Sequence, residues 1–340
     1  MTILRPALPL GRFYLDRVTR PDTRTLIAER MLDAREDYLR HHLVRGVPTM
    51  PGCFAAELAA EAAQELVPDL VVTGLRDLSF ESFLKLGGGT GLSPLRLVAR
   101  LRGRDDEAES AVVDVQVLGD VVSPSGTVLV RDRRHFAATV VLAAEHPRAP
   151  RWAPWPAAEA VPVVDPYHVA GGAVRLSGPF VSTTGIRLHP LGVRAWYSKP
   201  VPPDTTPGSV FDQFLTPGLL LDGLLRLAAM DLVRDRYIPV AAPTAIRRID
   251  LYGPANDAEL SALHVPVELI STPRGPFTGA EPVTRGVAML PDGRVLLQIK
   301  DVTGFPTGYF DTFTGEHVDR SVVEDGRPLT PPTRVGAVPI

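Results

Sequence analysis

Glycine and proline recur between short apolar segments along most of this 340-residue chain, and this pattern limits the possible folds more than any other feature. The chain contains 29 glycines and 34 prolines, which together exceed ordinary usage. Because both residues interrupt regular structure, the pattern favours many short strands joined by turns over a helical protein. The candidate strands are rich in β-branched residues and are Ala111–Leu118, Thr127–Arg131, Phe136–Leu142, His264–Ile270 and Val295–Ile299.

Two segments depart from this pattern and predict helices. Cys53–Leu66 is rich in alanine and leucine, contains no glycine or proline, and follows a Pro-Gly pair. Its many small residues suit a helix that is buried on several sides. Leu219–Val233 follows a Thr-Pro-Gly sequence, which is a typical helix start. Strand candidates follow both helices, at Leu75–Leu86 and Ala245–Tyr252.

The order of these elements predicts an α+β chain built from two similar units. Each unit is expected to be an antiparallel sheet wrapped around a long central helix, although the sequence shows no internal repeat. We predict an N-terminal unit at 1–145 and a C-terminal unit at 167–320, followed by a flexible tail at 321–340. The segment between the units, 146–166, is rich in proline. It is predicted to be a linker that cannot continue a sheet.

Composition excludes several classes of protein. The net charge is -3 and the pI is near 6.3, so nothing indicates binding to nucleic acid or to an anionic membrane. Cys53 is the single cysteine, which rules out an intramolecular disulfide. No Cys and His spacing suggests a metal site, and no uncharged apolar run reaches 18 residues. We therefore expect a cytoplasmic protein without a metal.

The strongest local motif lies immediately before the first predicted helix. His42, Gly46 and Pro51 are arranged as H-x3-G-x4-P. A histidine on the incoming segment is suited to act as a general base, because an imidazole titrates near neutrality. Gly46 and Pro51 are expected to shape the turn that brings the base to the helix. From base chemistry alone, His41 is an equal candidate.

The N-terminus of that helix supplies a second component of a site. The first backbone N–H groups, near Gly52 and Cys53, lie at the positive end of the helix dipole. They are placed to polarise a thioester carbonyl, which makes the adjacent carbon more acidic. This interpretation assigns the backbone of the helix start to an oxyanion site.

The second predicted helix carries one acidic side chain, Asp222, among leucines. Burial of a carboxyl group raises its pKa and makes it a usable proton donor. A base from one half and an acid from the other would then meet across a shared substrate tunnel. Arg226 lies one helical turn later, and a guanidinium in contact with Asp222 would lower the pKa of the acid by about 1–3 units. That contact would oppose proton donation, unless Arg226 points elsewhere.

These motifs resemble those of polyketide synthase dehydratase domains. The first motif is similar to the family at His42, Val44, Gly46, Pro51, Gly52 and Glu57. The second resembles the family's LLD, with Asp222 at the acid, but has Arg226 where the family has glutamine or histidine. Residues 74–80, 237–253 and 294–305 also resemble family segments. Leu176–Phe180 keeps Gly178 and Pro179 of a Tyr-Gly-Pro motif but has Ser177 in place of the tyrosine.

The resemblance implies a double-hotdog fold and a dehydratase acting on β-hydroxyacyl thioesters. In the family the motif's first histidine is the base, which selects His42 over His41 and pairs it with Asp222. Substrate contacts are expected at Gly52 and Cys53 from the helix start and at Gly178 and Pro179 from the likeness. Arg226, which departs from the family, would contact the phosphate if it turns away from the acid. It implies no cofactor beyond the phosphopantetheine of an acyl carrier protein. Partners are expected to be that carrier protein, other polyketide synthase domains and a second copy of the chain.

Two other functions remain open at this point. The arginine at 226 and the missing tyrosine are compatible with a dehydratase-like cyclase or isomerase that uses the same base without net loss of water. A catalytically silent docking domain within a synthase is the third possibility, although the presence of both His42 and Asp222 argues against it.

Overall fold

The fold is dominated by antiparallel sheet. The computed structural model describes residues 13–86, 91–123, 125, 127–156, 158–198, 213–231, 233, 236–253, 256–273 and 284–324. Within these ranges, hydrogen bonding joins fourteen strands into one sheet and three into a second, smaller sheet. No helix within them is long and apolar enough to cross a membrane.

The first half consists of strands, a short helix and one buried helix of 15 residues. In chain order they are β1 (Arg17–Asp22), β2 (Thr25–Asp33), α1 (Asp37–Arg40), β3 (His42–Val44), β4 (Val47–Pro48), α2 (Gly52–Leu66), β5 (Val71–Phe80), β6 (Leu92–Asp105), β7 (Ser110–Val122) and β8 (Val128–Ala143).

The second half repeats this arrangement with shorter strands at its start. Its elements are β9 (Val161–Pro162), a 3-10 helix (Pro166–His168), β10 (Val174–Leu176), a 3-10 helix (Gly178–Phe180), β11 (Thr183–His189), β12 (Gly192–Tyr197), α3 (Gly218–Met230), β13 (Tyr237–Leu251), α4 (Asp257–Ala262), β14 (Val267–Pro273), β15 (Thr284–Met289), β16 (Val295–Asp311), β17 (Glu316–Val318) and α5 (Arg320–Glu324).

The two halves share one continuous sheet, whereas the sequence suggested two separate ones. The order is β1-β2-β6-β7-β8-β5-β13-β16-β15-β14-β12-β11-β9, and β17 pairs with β16. The junction is the antiparallel pair of β5 and β13, in which Gly74 lies opposite Asp250. A Cβ atom at Gly74 would lie 2.4 Å from the backbone oxygen of Ile249. Glycine therefore allows the close approach that joins the sheets, a long-range contact without a local sequence signal.

The main helices are of ordinary length, 15 residues in α2 and 13 in α3, rather than the long helices that were expected. The sequence placed their ends within a few residues of the observed ones. The α2 helix packs against β2, β5, β6, β7 and β8, while α3 packs against β12 to β16 and also contacts α2. Every residue of α2 after the first is buried, because its alanines let the surrounding strands approach closely.

Three smaller features differ at least in part from what the sequence suggested. The candidate strands Thr127–Arg131 and Phe136–Leu142 form one strand, β8, whose pairing with β7 contains bulges. The proline-rich linker does continue the sheet, since β9 pairs with β11 at its edge; proline is tolerated in an edge strand because no partner needs its missing N–H. The tail begins with a helix, α5, packed on β16, and residues 325–340 lie outside the described ranges.

Candidate active site

The segment that carries His42 is shaped by a two-residue turn. Val44 of β3 pairs directly with Val47 of β4, and the residues between them, Arg45 and Gly46, have φ values of 51° and 77°. Positive φ at both central positions defines a hairpin turn that favours glycine. Gly46 therefore occupies the position at which the spacing predicted a turn-shaping residue.

His42 lies on β3 and faces a cavity. Its Nδ1 atom is 2.8 Å from the backbone oxygen of Thr49, and the edge of the Phe180 ring packs against it with the ring centroids 5.6 Å apart. Burial lowers the pKa of His42 to about 4, and the positive charge of Arg226 acts in the same direction. The imidazole is therefore neutral near pH 7, as a general base requires.

His41 has a different environment from its neighbour. Its Nδ1 atom is 2.9 Å from the hydroxyl oxygen of Ser177, and it does not line the cavity that His42 faces. A Cβ atom at Gly178, where φ is 53°, would lie 2.7 Å from the His41 ring. The geometry thus separates two histidines that base chemistry left equal.

Gly178 and Pro179 are not placed at the cavity. They form the start of a short 3-10 helix, and neither lines the cavity wall. The turn lies close to the His41 ring instead, so the expectation that these two residues contact substrate stays a prediction without support from the cavity. What the turn brings inward is Phe180, which is fully buried beside the His42 ring.

The N-terminus of α2 faces the same cavity as His42. Pro51 precedes the helix in an extended conformation with φ of -61° and ψ of 139°, and no side chain caps the helix start. Gly52 and Cys53 both line the cavity. The first N–H groups of a helix have no intrahelical acceptor and carry partial positive charge, so these two residues present donors to an oxygen atom in the cavity.

Asp222 reaches the cavity from the other half. It lies in α3, is 7% exposed, and has its Oδ1 atom 4.0 Å from the Cys53 sulfur. Burial raises the pKa of Asp222, and the adjacent Arg226 opposes that rise without cancelling it. The carboxyl group therefore holds a proton to a higher pH than an exposed aspartate does.

Arg226 does not point away from Asp222, as one interpretation of the sequence required. Its Nε atom donates to Asp222 Oδ2 at 2.9 Å, and one terminal nitrogen donates to Asp165. The other terminal nitrogen donates to the Phe180 carbonyl oxygen and the Ser182 hydroxyl, both at 3.1 Å. Every donor nitrogen of the side chain is thus engaged with the protein, and the side chain is 4% exposed. Arg226 also lines the cavity, and its expected role in binding a phosphate stays a prediction.

Two buried carboxylates hold the start of α3 in place. Asp257 accepts from the backbone N–H groups of Leu219 and Leu220 at 2.9 and 3.1 Å. Glu57 of α2 accepts from the N–H groups of Leu215 and Thr216 at 2.7 and 2.8 Å, just before the helix. These contacts fix the position of Asp222 relative to α2. The sequence suggested a hydrogen-bonding role for Glu57 but assigned none to Asp257.

The sequence interpretation also missed Asp165, near the end of the predicted linker, and Tyr167, the first residue of the predicted C-terminal unit. Tyr167 lines the cavity, and its hydroxyl group both donates to the backbone oxygen of Ala241 at 3.1 Å and accepts from its N–H at 3.0 Å. Asp165 caps the 3-10 helix through the Tyr167 N–H at 3.0 Å. The Asp-Pro pair at 165–166 favours the start of a turn, and this is the sequence signal that predicts one here.

The cavity itself joins these residues into one site. It has a volume of about 570 Å³, which is within the usual range for a small-molecule pocket. Its polar residues come from both halves of the chain, and its apolar wall includes Val44, Met50, Phe80, Phe136, Leu176 and Leu225. Within the described ranges, no cluster of three or more His, Cys, Asp or Glu residues is arranged to hold a metal ion.

Each of the two main helices lies against its own part of a joined antiparallel sheet, and both halves line one cavity. This arrangement is a double hotdog. Residues 15–118 match the family model described as polyketide synthase dehydratase domain. The resemblance that the first motif suggested is therefore confirmed over these residues. No curated protein matches the chain.

Solved structures give the same result for the fold. The dehydratase domain from the CurF module of the curacin polyketide synthase is similar, with a TM-score of 0.67 and 13% identity over 86% of this chain and 99% of that one. The dehydratase domain of PpsC from Mycobacterium tuberculosis has a TM-score of 0.60 and 20% identity over 86% and 97%. The rifamycin terminal-module dehydratase domain has a TM-score of 0.55 and 22% identity over 83% and 91%. The chain has the double-hotdog fold of these domains.

Proposed function

We propose that this protein is a dehydratase that removes water from β-hydroxyacyl thioesters carried by an acyl carrier protein in polyketide biosynthesis. The observation that supports this most directly is that His42 and Asp222, from different halves, line one cavity. The matched family model and the similar dehydratase structures favour the same reaction.

The proposed reaction begins with proton removal. The neutral His42 takes the proton from the carbon next to the thioester carbonyl. Its Nδ1–H donates to the Thr49 oxygen, so Nε2 is the atom that accepts. The backbone N–H groups at Gly52 and Cys53 stabilise the negative charge that develops on the carbonyl oxygen.

Asp222 then completes the elimination. Its carboxyl proton passes to the β-hydroxyl group, the carbon–oxygen bond breaks, and water leaves as the double bond forms between the α and β carbons. His42 ends protonated and Asp222 ends ionised, and return of the proton through water restores both. The mechanism uses no group beyond the phosphopantetheine arm that carries the substrate.

The test measures water loss from a 3-hydroxyacyl thioester by mass spectrometry. We expect His42→Ala and Asp222→Asn each to lower kcat by at least about 100-fold, which is the usual contribution of a general acid or base. His41→Ala is the matched control, because that histidine is adjacent in sequence and outside the cavity wall. Undiminished water loss in either site variant would contradict the proposal.

One observation favours a second candidate, an isomerase or cyclase with the same base. The ion pair of Arg226 with Asp222 stabilises the ionised carboxylate, which an isomerisation tolerates better than an elimination does. The product mass distinguishes the two, since elimination loses one water and isomerisation loses none. A protein that binds the loaded carrier protein but neither removes water from the thioester nor isomerises it would instead be a silent docking domain.

A further inference from the structure

Arg226 is the centre of a buried charge cluster that contains two carboxylates. Asp222 and Asp165 both accept from its guanidinium group, and the imidazole Nε2 atom of His168 is 3.2 Å from one of its terminal nitrogens. The side chains of Arg226, Asp165 and Asp222 are between 4% and 10% exposed. Charges at this depth must balance closely, because an uncompensated buried charge is strongly unfavourable.

The charges in this cluster do not balance unless one extra proton is present. Arg226 carries one positive charge, whereas Asp165 and Asp222 would carry two negative charges if both were ionised. A proton on Asp222, or on His168, brings the sum to zero. The location of this proton decides whether Asp222 is able to donate one.

The surroundings of His168 allow either state. Its Nδ1 atom is 3.1 Å from the backbone oxygen of Leu176 and must carry a hydrogen there. If the ring is neutral, Nε2 accepts from Arg226; if the ring is charged, Nε2 donates to Asp165 Oδ2, which is 3.1 Å away. His168 therefore does not force the extra proton onto or off Asp222.

The two carboxylates differ in the donors around them. Besides Arg226, Asp165 accepts from the Tyr167 N–H at 3.0 Å and the Thr183 hydroxyl at 3.3 Å. Asp222 has Arg226 as its one strong donor and the Cys53 thiol at 4.0 Å. Hydrogen bonds to a carboxylate favour the ionised form, so Asp165 is the anion and Asp222 is the acid. The pKa of Asp165 is accordingly lowered by Arg226 and His168 despite burial, whereas burial raises that of Asp222.

We propose that Asp165 is a positioning residue that neutralises Arg226 and thereby lets the Asp222 carboxyl group keep its proton. The catalytic consequence rests on the proposed function, but the electrostatic claim does not. Further groups interact electrostatically with Asp222 from the elements around it: Cys53 on α2, Tyr167 and His168 on the 3-10 helix, and Asp257 on α4. His42 on β3 lines the same cavity.

The first test measures the titration of Asp222 directly in the full-length protein. Carbon-13 NMR of aspartate-labelled protein gives the carboxyl signals, and Asp222→Asn identifies the one that belongs to Asp222. In Asp165→Asn, Arg226 has Asp222 as its only carboxylate partner, so we expect the Asp222 midpoint to fall by about 1–3 pH units. An unchanged or raised midpoint would overturn the proposal.

The second test uses a double variant in case the single variant does not fold. Asp165→Asn combined with Arg226→Gln removes both charges together and introduces the glutamine seen in the family motif. If Asp165 neutralises Arg226, the Asp222 midpoint should stay within about one pH unit of the wild type. If Arg226 instead acts mainly on Asp222, the midpoint should rise well beyond that, and the proposal is wrong.

Activity provides a readout that loss of structure alone would not produce. Only protonated Asp222 donates to the leaving hydroxyl, so kcat should fall as pH rises through its pKa. We expect this alkaline limb to move to lower pH in Asp165→Asn and to return in the double variant. A wild type without water loss but with the expected NMR shifts would refute the proposed function alone. An active wild type with unmoved shifts would refute the role of Asp165 alone.

Discussion

The Nδ1 atom of His42 lies 2.8 Å from the backbone carbonyl oxygen of Thr49. A carbonyl oxygen only accepts hydrogen bonds, so Nδ1 carries the hydrogen and Nε2 has the free lone pair. The contact spans the turn that Gly46 forms, because β3 and β4 are paired around it. A backbone turn thus determines which nitrogen of the proposed base is available.

The acidic limb of the pH profile should report this imidazole. Burial lowers the pKa of His42 to about 4, and the base acts only when it is unprotonated. We expect kcat/KM to rise with pH through about 4 and to be level by about pH 5.5. Steady-state rates with a 3-hydroxyacyl thioester between pH 3.5 and 7 would show this. A limb near 6.5, the ordinary value for histidine, would contradict the burial of the base.

The parts of the fold that could be predicted depend on local signals. The start of α2 follows from Pro51 and an alanine-rich segment, and the turn follows from Gly46, because each acts within a few residues. The pairing of His42 with Asp222 came from the resemblance, since the two are 180 positions apart. Composition alone would not have brought them together.

The parts that could not be predicted depend on long-range contacts. The junction at Gly74 and the role of Asp165 are visible only once β5 meets β13 and the linker returns to α3. Arg226 was expected either to suppress Asp222 as an acid or to point away. It does contact Asp222, but a second carboxylate shares its charge, and that carboxylate lies 61 positions away.

Gly46→Ala should weaken the turn that holds His42. A non-glycine residue in this left-handed conformation costs about 1–2 kcal/mol, so the free energy of unfolding should fall by about that amount. We expect kcat to fall as well, because β3 carries the base. Chemical denaturation and the thioester assay would measure the two effects.

Gly103→Ala is the control for the turn variant. This glycine is also in the first half, but it has no positive φ, and a Cβ atom there would meet nothing within 4 Å. We expect its free energy of unfolding to stay within about 0.5 kcal/mol of the wild type or to rise slightly. Equal losses in both variants would show that backbone conformation at Gly46 is not the cause.

Cys53 should react slowly with alkylating reagents although it lines the cavity. Burial raises the pKa of its thiol, and Asp222 adds to the effect once it has lost its proton, so the reactive thiolate is scarce. Because it is the single cysteine, mass spectrometry after iodoacetamide at pH 8 gives its rate without ambiguity. We expect a rate at least about tenfold below that of the denatured chain. Asp222→Asn should increase the rate, and a rate equal to that of the denatured chain would contradict this environment.

Glu57 and Glu61 should make the protein less stable as pH rises. They lie one turn apart in α2 and are buried; burial raises the pKa of Glu57 to about 7, and burial together with the charge of Glu57 raises that of Glu61. An unfolded glutamate titrates near 4.3. Between these values the folded state holds more protons than the unfolded state, so the free energy of unfolding should fall from about pH 4.5 to 7.

Two isosteric variants separate the charge of this pair from its hydrogen bonds. The Tyr14 N–H donates to Glu61 Oε2 at 2.7 Å, and Glu61→Gln keeps an oxygen that accepts this hydrogen bond. The variant removes the repulsion between the two carboxylates. Its free energy of unfolding should therefore decline less between pH 5 and 8 than that of the wild type. Glu57→Gln loses an oxygen that serves Leu215 and Thr216, so it should lose about 1–3 kcal/mol even at pH 5. Urea unfolding at pH 5, 6, 7 and 8 measures both. A Glu61→Gln profile parallel to that of the wild type would show that Glu61 does not titrate in this pH range, because only a group whose pKa differs between the folded and unfolded states changes the slope.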